Sequence, residues 1–534
     1  MTREAFHVSA CFRQEEVINM TLREKIGQMI MTGFPTAEIT PELIHLIEEY
    51  KVANIILFSY NLRTIEQVRS HCLELHQRIE DSTGYPGLIG IDQEGGVVTR
   101  LPITQACNVP GAMLIGASAN SDNAYRAGVI TGEELKALGI NMDLAPVMDI
   151  NSNPDNPVIG VRSYSGDVNT VEEFAVKMMQ GLEAAGVMAT AKHFPGHGDT
   201  AVDSHLGLPV IDKSLEELMQ HELVPFIRGI REGATCIMTS HILFPRLETE
   251  RIPATMSKEI LTGLLRSKLG FEGLIITDCL EMAAIQTFYG TAEGAVAAVK
   301  AGAQMLCISH TPHLVMEAIE KIEAAVDHGE ISMDIIDAAV ANILRLKEKY
   351  RIDRSKDELK IIGSPNHKKI VEEITLAGIT KVSKEELPRI TEDTIFIGSY
   401  AYRSTLANSP VDQGLHFAEY MGKKFHCHCL DVSVDPKEDE ISQVLKKIRT
   451  HAPVVYGMYN GHLNKGQINL LKEIQNAGYP VVAVALRNPY DLSYLDGSVH
   501  KIALYEYNRT VFDALEKILR KQAVAMGKLP VKFI

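Results

Sequence analysis

Val187-Met-Ala-Thr-Ala-Lys-His-Phe-Pro-Gly-His-Gly-Asp-Thr-Ala-Val-Asp-Ser-His205 passes in one stroke from an apolar run to a densely polar one. Residues 187–191 have the length and composition of a buried strand, and they follow an amphipathic stretch, 171–186, with helical spacing. From Lys192 onward come two glycines, a proline and six ionisable side chains. A packed strand or helix cannot bury that many charges cheaply, so the spacing predicts a loop at a polar cleft over residues 192–205. A helix, then an apolar strand, then chemistry at the strand's end is the unit to look for elsewhere.

The unit recurs between Lys25 and Tyr350. Short apolar runs at 28–34, 53–58, 88–92, 142–148, 188–193, 235–241, 274–278 and 304–309 each end in small, polar or charged residues. Helical patterns lie between them, at 64–79, 124–138, 215–229, 257–269 and 292–301. Eight strand–helix units in about 325 residues match a (β/α)8 barrel, a fold of roughly 250 residues that grows with insertions. The runs are continuously apolar rather than alternating, as strands buried on both faces must be. Asp92, Asp149, His193, His241 and Asp278 sit at the C-terminal ends of their runs. A barrel brings those ends to one mouth, whereas an open doubly wound sheet would spread them along a crevice.

Past Tyr350 the composition changes. Residues 351–392 are charged and read as a linker region between a barrel domain, 1–350, and a C-terminal domain, 393–534. The latter repeats an α/β pattern, with strands at 394–398, 425–432, 453–458, 480–486 and 501–505 and helices at 438–450, 467–477 and 511–520. The fold class expected is therefore α/β, a TIM-type barrel followed by a smaller α/β/α sandwich of flavodoxin-like kind. The sandwich has no glycine-rich phosphate fingerprint, so no nucleotide is expected on it. Two polar turns, Tyr459-Asn-Gly-His462 and Arg487-Asn-Pro-Tyr-Asp491, either face the barrel or merely cap their helices.

A net charge of −15 and a pI near 5.7 exclude nucleic acid and anionic membranes as natural partners. No apolar run is long enough to span a bilayer, and the first residues lack a basic segment followed by an apolar one. Eight scattered cysteines, several inside apolar runs (Cys236, Cys279, Cys307), suit free thiols in a reducing compartment. A cytoplasmic location is expected. His426-Cys-His-Cys429 alternates like a strand with its cysteines facing inward.

A mouth carrying Asp92, Arg100, Asp149, Arg162, Lys192, His193, His205 and Asp278 is rich in both acceptors and cationic donors. Sugars need such a surface, because each hydroxyl both donates and accepts. Cleaving an acetal needs an acid for the leaving oxygen and, in retaining enzymes, a carboxylate that attacks the anomeric carbon. Asp278, at the end of the run 273–277, is the first choice for that carboxylate on position alone. A metal site on His193, His197, Asp199 and His205 is the competing reading, but the spacing matches no compact ligand motif.

Four separated segments occur in a telling order: Asp92-Gln-Glu-Gly-Gly-Val-Val-Thr-Arg100, Asn156-Pro-Val-Ile-Gly-Val-Arg162-Ser, the stretch 192–205, and Thr277-Asp278-Cys-Leu-Glu-Met282. Together they resemble family 3 glycoside hydrolases, in particular the β-N-acetylhexosaminidase branch of NagZ type. The segment Ala485-Leu-Arg-Asn-Pro-Tyr-Asp491 resembles the sandwich of two-domain members from Gram-positive bacteria. The resemblance implies that Asp278 is the nucleophile, that His205 is the general acid/base, and that Asp203 is its partner in a dyad. It implies that Asp92, Arg100, Arg162, Lys192 and His193 bind a terminal N-acetylglucosamine. It also implies a small saccharide as the partner, with no cofactor and no metal. The glycines at 196 and 198 read as a mobile loop that would deliver His205. Phosphorolysis by the same residues, metal-dependent hydrolysis and simple sugar binding are the alternatives. The chain departs from the family with Val97 in place of Arg, Val161 in place of Asp and Gln304 in place of Asp.

Overall fold

The computed structural model describes residues 17–533 apart from 103, 202, 204–206, 356–357 and 449–451. Its first sheet holds eight strands: β1 (Ile30–Thr32), β2 (Asn54–Leu57), β3 (Leu88–Ile91), β4 (Met142–Asp143), β5 (Met188–Phe194), β6 (Cys236–Thr239), β7 (Leu274–Ile276) and β8 (Leu306–Ile308). They are parallel, in the order β7-β6-β5-β4-β3-β2-β1-β8. The ring closes where Ile276 bridges Met305 and where the Gln304 and Met305 N–H groups donate to Ile275 O (2.9 and 3.1 Å). Parallel neighbours require crossover connections, and helices such as Ile65–Thr83, Asp122–Leu138, Val168–Ala185 and Thr291–Ala301 supply them. Every residue of these eight strands is buried, which is the physical reason for their continuously apolar reading.

Two strands differ from expectation. β4 stops at Asp143 because Pro146 has no N–H for the ladder, although Ala145 O and Pro146 O still accept from Thr190 and Lys192. β5 ends at Phe194, one residue past the expected run 188–193, so the loop expected from residue 192 starts only after a fully buried strand that holds Lys192 and His193. Its pairing with β6 is irregular between Ala191 and Phe194. A bulge of this kind re-aims side chains, and here both Lys192 and His193 face the same cleft.

The second sheet has the order β11-β10-β12-β13-β14-β9. β10 (Ile395–Ser399), β11 (His428–Val432), β12 (Val454–Met458), β13 (Val481–Ala485) and β14 (His500–Ala503) are parallel, while β9 (Thr380–Lys381) pairs antiparallel with β14. The charged stretch before it is not featureless. It contains the helix Pro365–Gly378, capped by Ser364, whose Oγ accepts from the His367 N–H. Gly378 lets that helix touch the barrel's helix Ala112–Ala117, since a Cβ there would lie 2.2 Å from Leu114 O. Cys429 is exposed on the edge strand β11 and Cys427 only half-buried, so the inward-facing reading of those cysteines fails for want of a neighbouring strand.

One hydrophobic cluster joins the two sheets: Met113, Leu114, Ala117 and Val161 of the barrel pack with Phe396, Tyr456, Val484 and Phe512. The C-terminal segment strengthens the joint, with Lys528 N donating to Ala117 O (2.7 Å) and Gly166 N to Pro530 O (3.0 Å). Among the described residues no helix is long and apolar enough to cross a membrane.

Candidate active site

At the end of β3 the backbone turns through Gly95 (φ 87°) and Gly96 (φ 55°), and a Cβ on Gly96 would meet the Gly111 backbone at 2.7 Å. Gln93 ties this turn together. Its Oε1 accepts from the N–H groups of Arg100 (2.8 Å) and Leu101 (3.2 Å), and its Nε2 donates to Thr99 Oγ1 (2.7 Å). The turn leaves Asp92 and Glu94 at the mouth of the barrel, where β5 delivers Lys192. The ammonium of Lys192 lies 2.7 Å from Asp92 Oδ1 and 2.7 Å from Glu94 Oε1. Arg162 grips Glu94 with both edges of its fork, Nη2 to Oε1 at 2.7 Å and Nε to Oε2 at 2.9 Å.

These charges are out of water: the Lys192 and Glu94 side chains are 2% and 7% exposed. Burial alone would neutralise both, but the partners outweigh it. Burial opposes the Glu94 charge, yet Arg162 and Lys192 hold its carboxyl far below the usual range. Burial likewise opposes the Lys192 charge, and Asp92 and Glu94 raise its pKa above the ordinary lysine value. Glu94, Lys192 and Arg162 are therefore charged at neutral pH.

Asp149 anchors the other side of β5. Its Oδ2 lies 2.7 Å from His193 Nδ1, and its Oδ1 accepts from the N–H groups of His193 (3.3 Å) and His197 (2.7 Å). Its role is to brace, as is that of His241, whose Nδ1 meets Thr255 Oγ1 (2.8 Å) and whose Nε2 meets Cys279 O (2.9 Å). Asn156 clips two motifs together: its Nδ2 donates to His197 O (2.9 Å) and Gly198 O (3.0 Å), while Val158 N and Ile159 N donate to its Oδ1. His197 is buried against Thr200 Oγ1 (2.9 Å), and burial, with His193 beside it, pushes its pKa down to about 4. Gly198 is there for contact, not freedom: a Cβ would lie 1.6 Å from Ile150 O. The expectation of a loop loosened by both glycines is corrected at that position.

Asp278 follows β7, with Cys279 N donating to its Oδ1 at 2.7 Å. It lines a cleft of about 750 Å3 together with Asp92, Arg100, Arg162, Lys192 and His193. Asp203 is buried and accepts from Thr405 Oγ1 at 2.9 Å, next to residues that form the cleft wall. His205 lies outside the described residues.

Sequence reasoning missed three contributors. Glu94 stands inside a recognised motif, and its spacing of two from Asp92 was a usable signal. Tyr60, stacked on Phe58 at 5.4 Å, lines the cleft from the loop after β2. The second domain adds Arg403, Leu406, Ala407 and Pro410, which no local pattern announces. Arg100 is tied to that segment through Nη1 to Ser409 Oγ (3.1 Å) and Nη2 to Ala407 O (2.9 Å). The turns at 459–462 and 487–491 are buried and tied to each other, His462 Nδ1 pairing with Asp491 Oδ1 (2.8 Å), and the second of them meets the barrel where Asn151 Nδ2 donates to the Tyr490 hydroxyl (3.2 Å). Val97 and Val161 pack on the second domain's hydrophobic cluster, and Gln304 Oε1 accepts from Arg266 and Asn342.

Among the described residues, one His/Cys/carboxylate group is tight enough for a metal: Cys107, Glu134 and His367, within 4.8 Å of one another. It lies apart from the cleft, and His367 is already held by Glu134 (3.0 Å) and Glu133 (3.0 Å). His193 and His197 instead direct Nδ1 to Asp149 and Thr200.

A closed parallel barrel whose strand ends gather carboxylates and cations in one saccharide-sized cleft defines a class of barrel hydrolases. Residues 21–346 match the glycosyl hydrolase family 3 N-terminal domain, and the chain belongs to that family. Beta-hexosaminidase A of Pseudoalteromonas piscicida is 30% identical over 96% of this chain and 97% of its own length. The structure of a family 3 beta-N-acetylglucosaminidase from Paenibacillus sp. str. FPU-7 is 36% identical, with a TM-score of 0.88 over 96% of this chain and 99% of that one. A beta-glucoside phosphorylase shares the fold, with a TM-score of 0.83 at 22% identity over 100% of this chain and 97% of its own.

Proposed function

We propose that the protein is a retaining exo-β-N-acetylglucosaminidase acting through a covalent glycosyl-enzyme. The observation that carries this reading is that Asp278 shares one cleft with the ion-pair lattice of Asp92, Lys192, Glu94 and Arg162. The lattice, with Arg100 and His193, presents fixed donors and acceptors to the hydroxyls of a terminal sugar. Two of the similar proteins that span nearly the whole chain, 30% and 36% identical to it, are a hexosaminidase and an N-acetylglucosaminidase, which supports N-acetylglucosamine as that sugar.

In the first step an Asp278 oxygen bonds to the anomeric carbon as the glycosidic bond breaks. The departing oxygen takes a proton from the His205 imidazolium. In the second, His205 removes a proton from water, water oxygen bonds to the anomeric carbon, and Asp278 leaves as a carboxylate. Asp203 orients His205 and stabilises its charged form, and Thr405 holds Asp203 from the second domain. The product is N-acetylglucosamine of unchanged β configuration. Short cytoplasmic saccharides, such as fragments from cell-wall recycling, complete the reading.

The test is cleavage of an aryl N-acetyl-β-glucosaminide beside the matching β-glucoside, by wild type and Asp278→Asn. Wild type cleaves the N-acetyl sugar, and the variant loses about 10⁴-fold or more in kcat. Failure of wild type on both substrates, or an unimpaired variant, rejects the proposal.

A further inference from the structure

The second domain's wall of the cleft carries a cation that the terminal-sugar chemistry does not use. Arg403 follows β10 in a segment, residues 400–410, without regular structure. Its guanidinium is steered rather than neutralised: Nε donates to Asn408 O (2.7 Å) and Nη2 to Leu406 O, both carbonyls of its own segment. Among the described residues no carboxylate lies within ion-pair distance of it. Burial and the neighbouring Arg100 charge both lower its pKa.

Arg100 repeats the theme. Its side chain is 8% exposed, Asp92 Oδ2 is 3.9 Å away, and its Nε is buried without a hydrogen-bond partner. Two guanidiniums thus line one cleft, Arg100 with its nearest ion-pair carboxylate at 3.9 Å and Arg403 with none within that distance among the described residues, and their mutual repulsion is relieved when an anion arrives. A planar fork with free N–H groups matches the oxygens of a carboxylate or a phosphate. Also lining this cleft is Tyr60, 44% exposed and stacked on Phe58, a flat apolar plate of the size of a sugar ring.

We propose that Arg403 is an oxyanion-binding residue on the leaving-group side of the cleft, contributed by the second domain. Its ligand is either a carboxylate carried by the aglycone or inorganic phosphate standing where water would attack. In the phosphate case a phosphate oxygen bonds to the anomeric carbon, Asp278 leaves as carboxylate, and the product is a sugar 1-phosphate. This rests on the reading of the cleft as an N-acetylglucosaminidase.

The experiment compares kcat/KM for an aryl N-acetyl-β-glucosaminide bearing a meta-carboxylate with that for its meta-carboxamide, in phosphate-free buffer and then with added phosphate. Wild type prefers the acid, and Arg403→Gln lowers the acid-to-amide ratio about tenfold, with Arg403→Lys between. Loss of that ratio without sugar phosphate assigns the oxyanion to the aglycone. Sugar 1-phosphate made by wild type and lost in Arg403→Gln assigns it to phosphate. The same ratio and phosphate response in both proteins overturns the proposal. If wild type cleaves neither substrate, the N-acetylglucosaminidase reading fails. Arg403 is then judged by thermal shift: phosphate or the carboxylated glycoside raises the Tm of wild type more than that of Arg403→Gln, and equal shifts reject it.

Discussion

The two walls of the cleft are held by different physics. On the barrel side, Lys192, Glu94, Arg162 and Asp92 form a buried, mutually neutralising lattice, and His193 is pinned by Asp149. On the second-domain side, residues 403–409 hang on single hydroxyls and main-chain carbonyls: Thr405 on Asp203, Ser409 on Thr99 and Arg100. A buried ion lattice has one low-energy arrangement, because a moved charge is left without compensation. A strap held by single hydrogen bonds, each with at most one ionised partner, can be altered residue by residue at about 1–3 kcal/mol each. Under the proposed function, binding of the terminal sugar and its cleavage fall to the barrel. Under the role proposed for Arg403, preference among leaving groups falls to the strap.

The contrast can be broken most forcefully at Glu94. Replacing it with Gln leaves Lys192 and Arg162 buried with one acid fewer, and chemical denaturation is expected to show a loss of about 3–5 kcal/mol. A loss below about 1 kcal/mol would mean that packing, not ion pairing, fixes the barrel wall.

The joint between the walls gives a smaller, pH-dependent effect. Glu506, just past β14, accepts from Gly111 N at the base of the Asp92 turn and from Asn508 Nδ2 (2.7 Å). Burial raises its pKa from 4.5 to about 7. A raised carboxyl pKa means that the folded protein binds the proton more tightly than the unfolded chain. The associated stability is complete below about pH 4.5, falls as pH rises, and is gone above about pH 7. Subtracting the unfolding free energy of Glu506→Gln from that of wild type should give a curve descending over that window by on the order of 3 kcal/mol. A flat difference would place the Glu506 carboxyl in water.

Ser409→Ala is the smallest perturbation. It removes one contact to Arg100 and two to the Thr99 backbone, whose N–H donates to the Ser409 hydroxyl and whose carbonyl accepts from it, and should raise KM by about fivefold while leaving the melting temperature within a few degrees. A collapse in stability instead would show the strap to be as rigid as the barrel wall.

What the sequence disclosed follows the same division. The eight barrel runs were legible because burial on both faces writes continuous apolar stretches. The polar strand ends were legible because charge at the end of such a run has few structural uses. Within those runs the errors have local causes: Pro146 cuts β4 short, and ion pairing lets Lys192 and His193 stay inside β5, where isolated charges would not. Gly198 was misread because a close backbone approach to Ile150 and a flexible turn look alike in sequence. The helix Pro365–Gly378 hid in charged surroundings, with a narrow buried stripe of His367, Val371, Ile374, Thr375 and Gly378 to mark it. Arg403 and Thr405 were illegible altogether, because a segment without periodicity acquires meaning only from the surface it lies against.

The most direct test of the central claim is intact-protein mass measurement during turnover of a slow N-acetyl-β-glucosaminide, followed by peptide mapping of any adduct. A glycosyl adduct carried by the peptide containing Asp278, and absent from Asp278→Asn, is the predicted result. Steady turnover with no adduct, or an adduct on another residue, would contradict it.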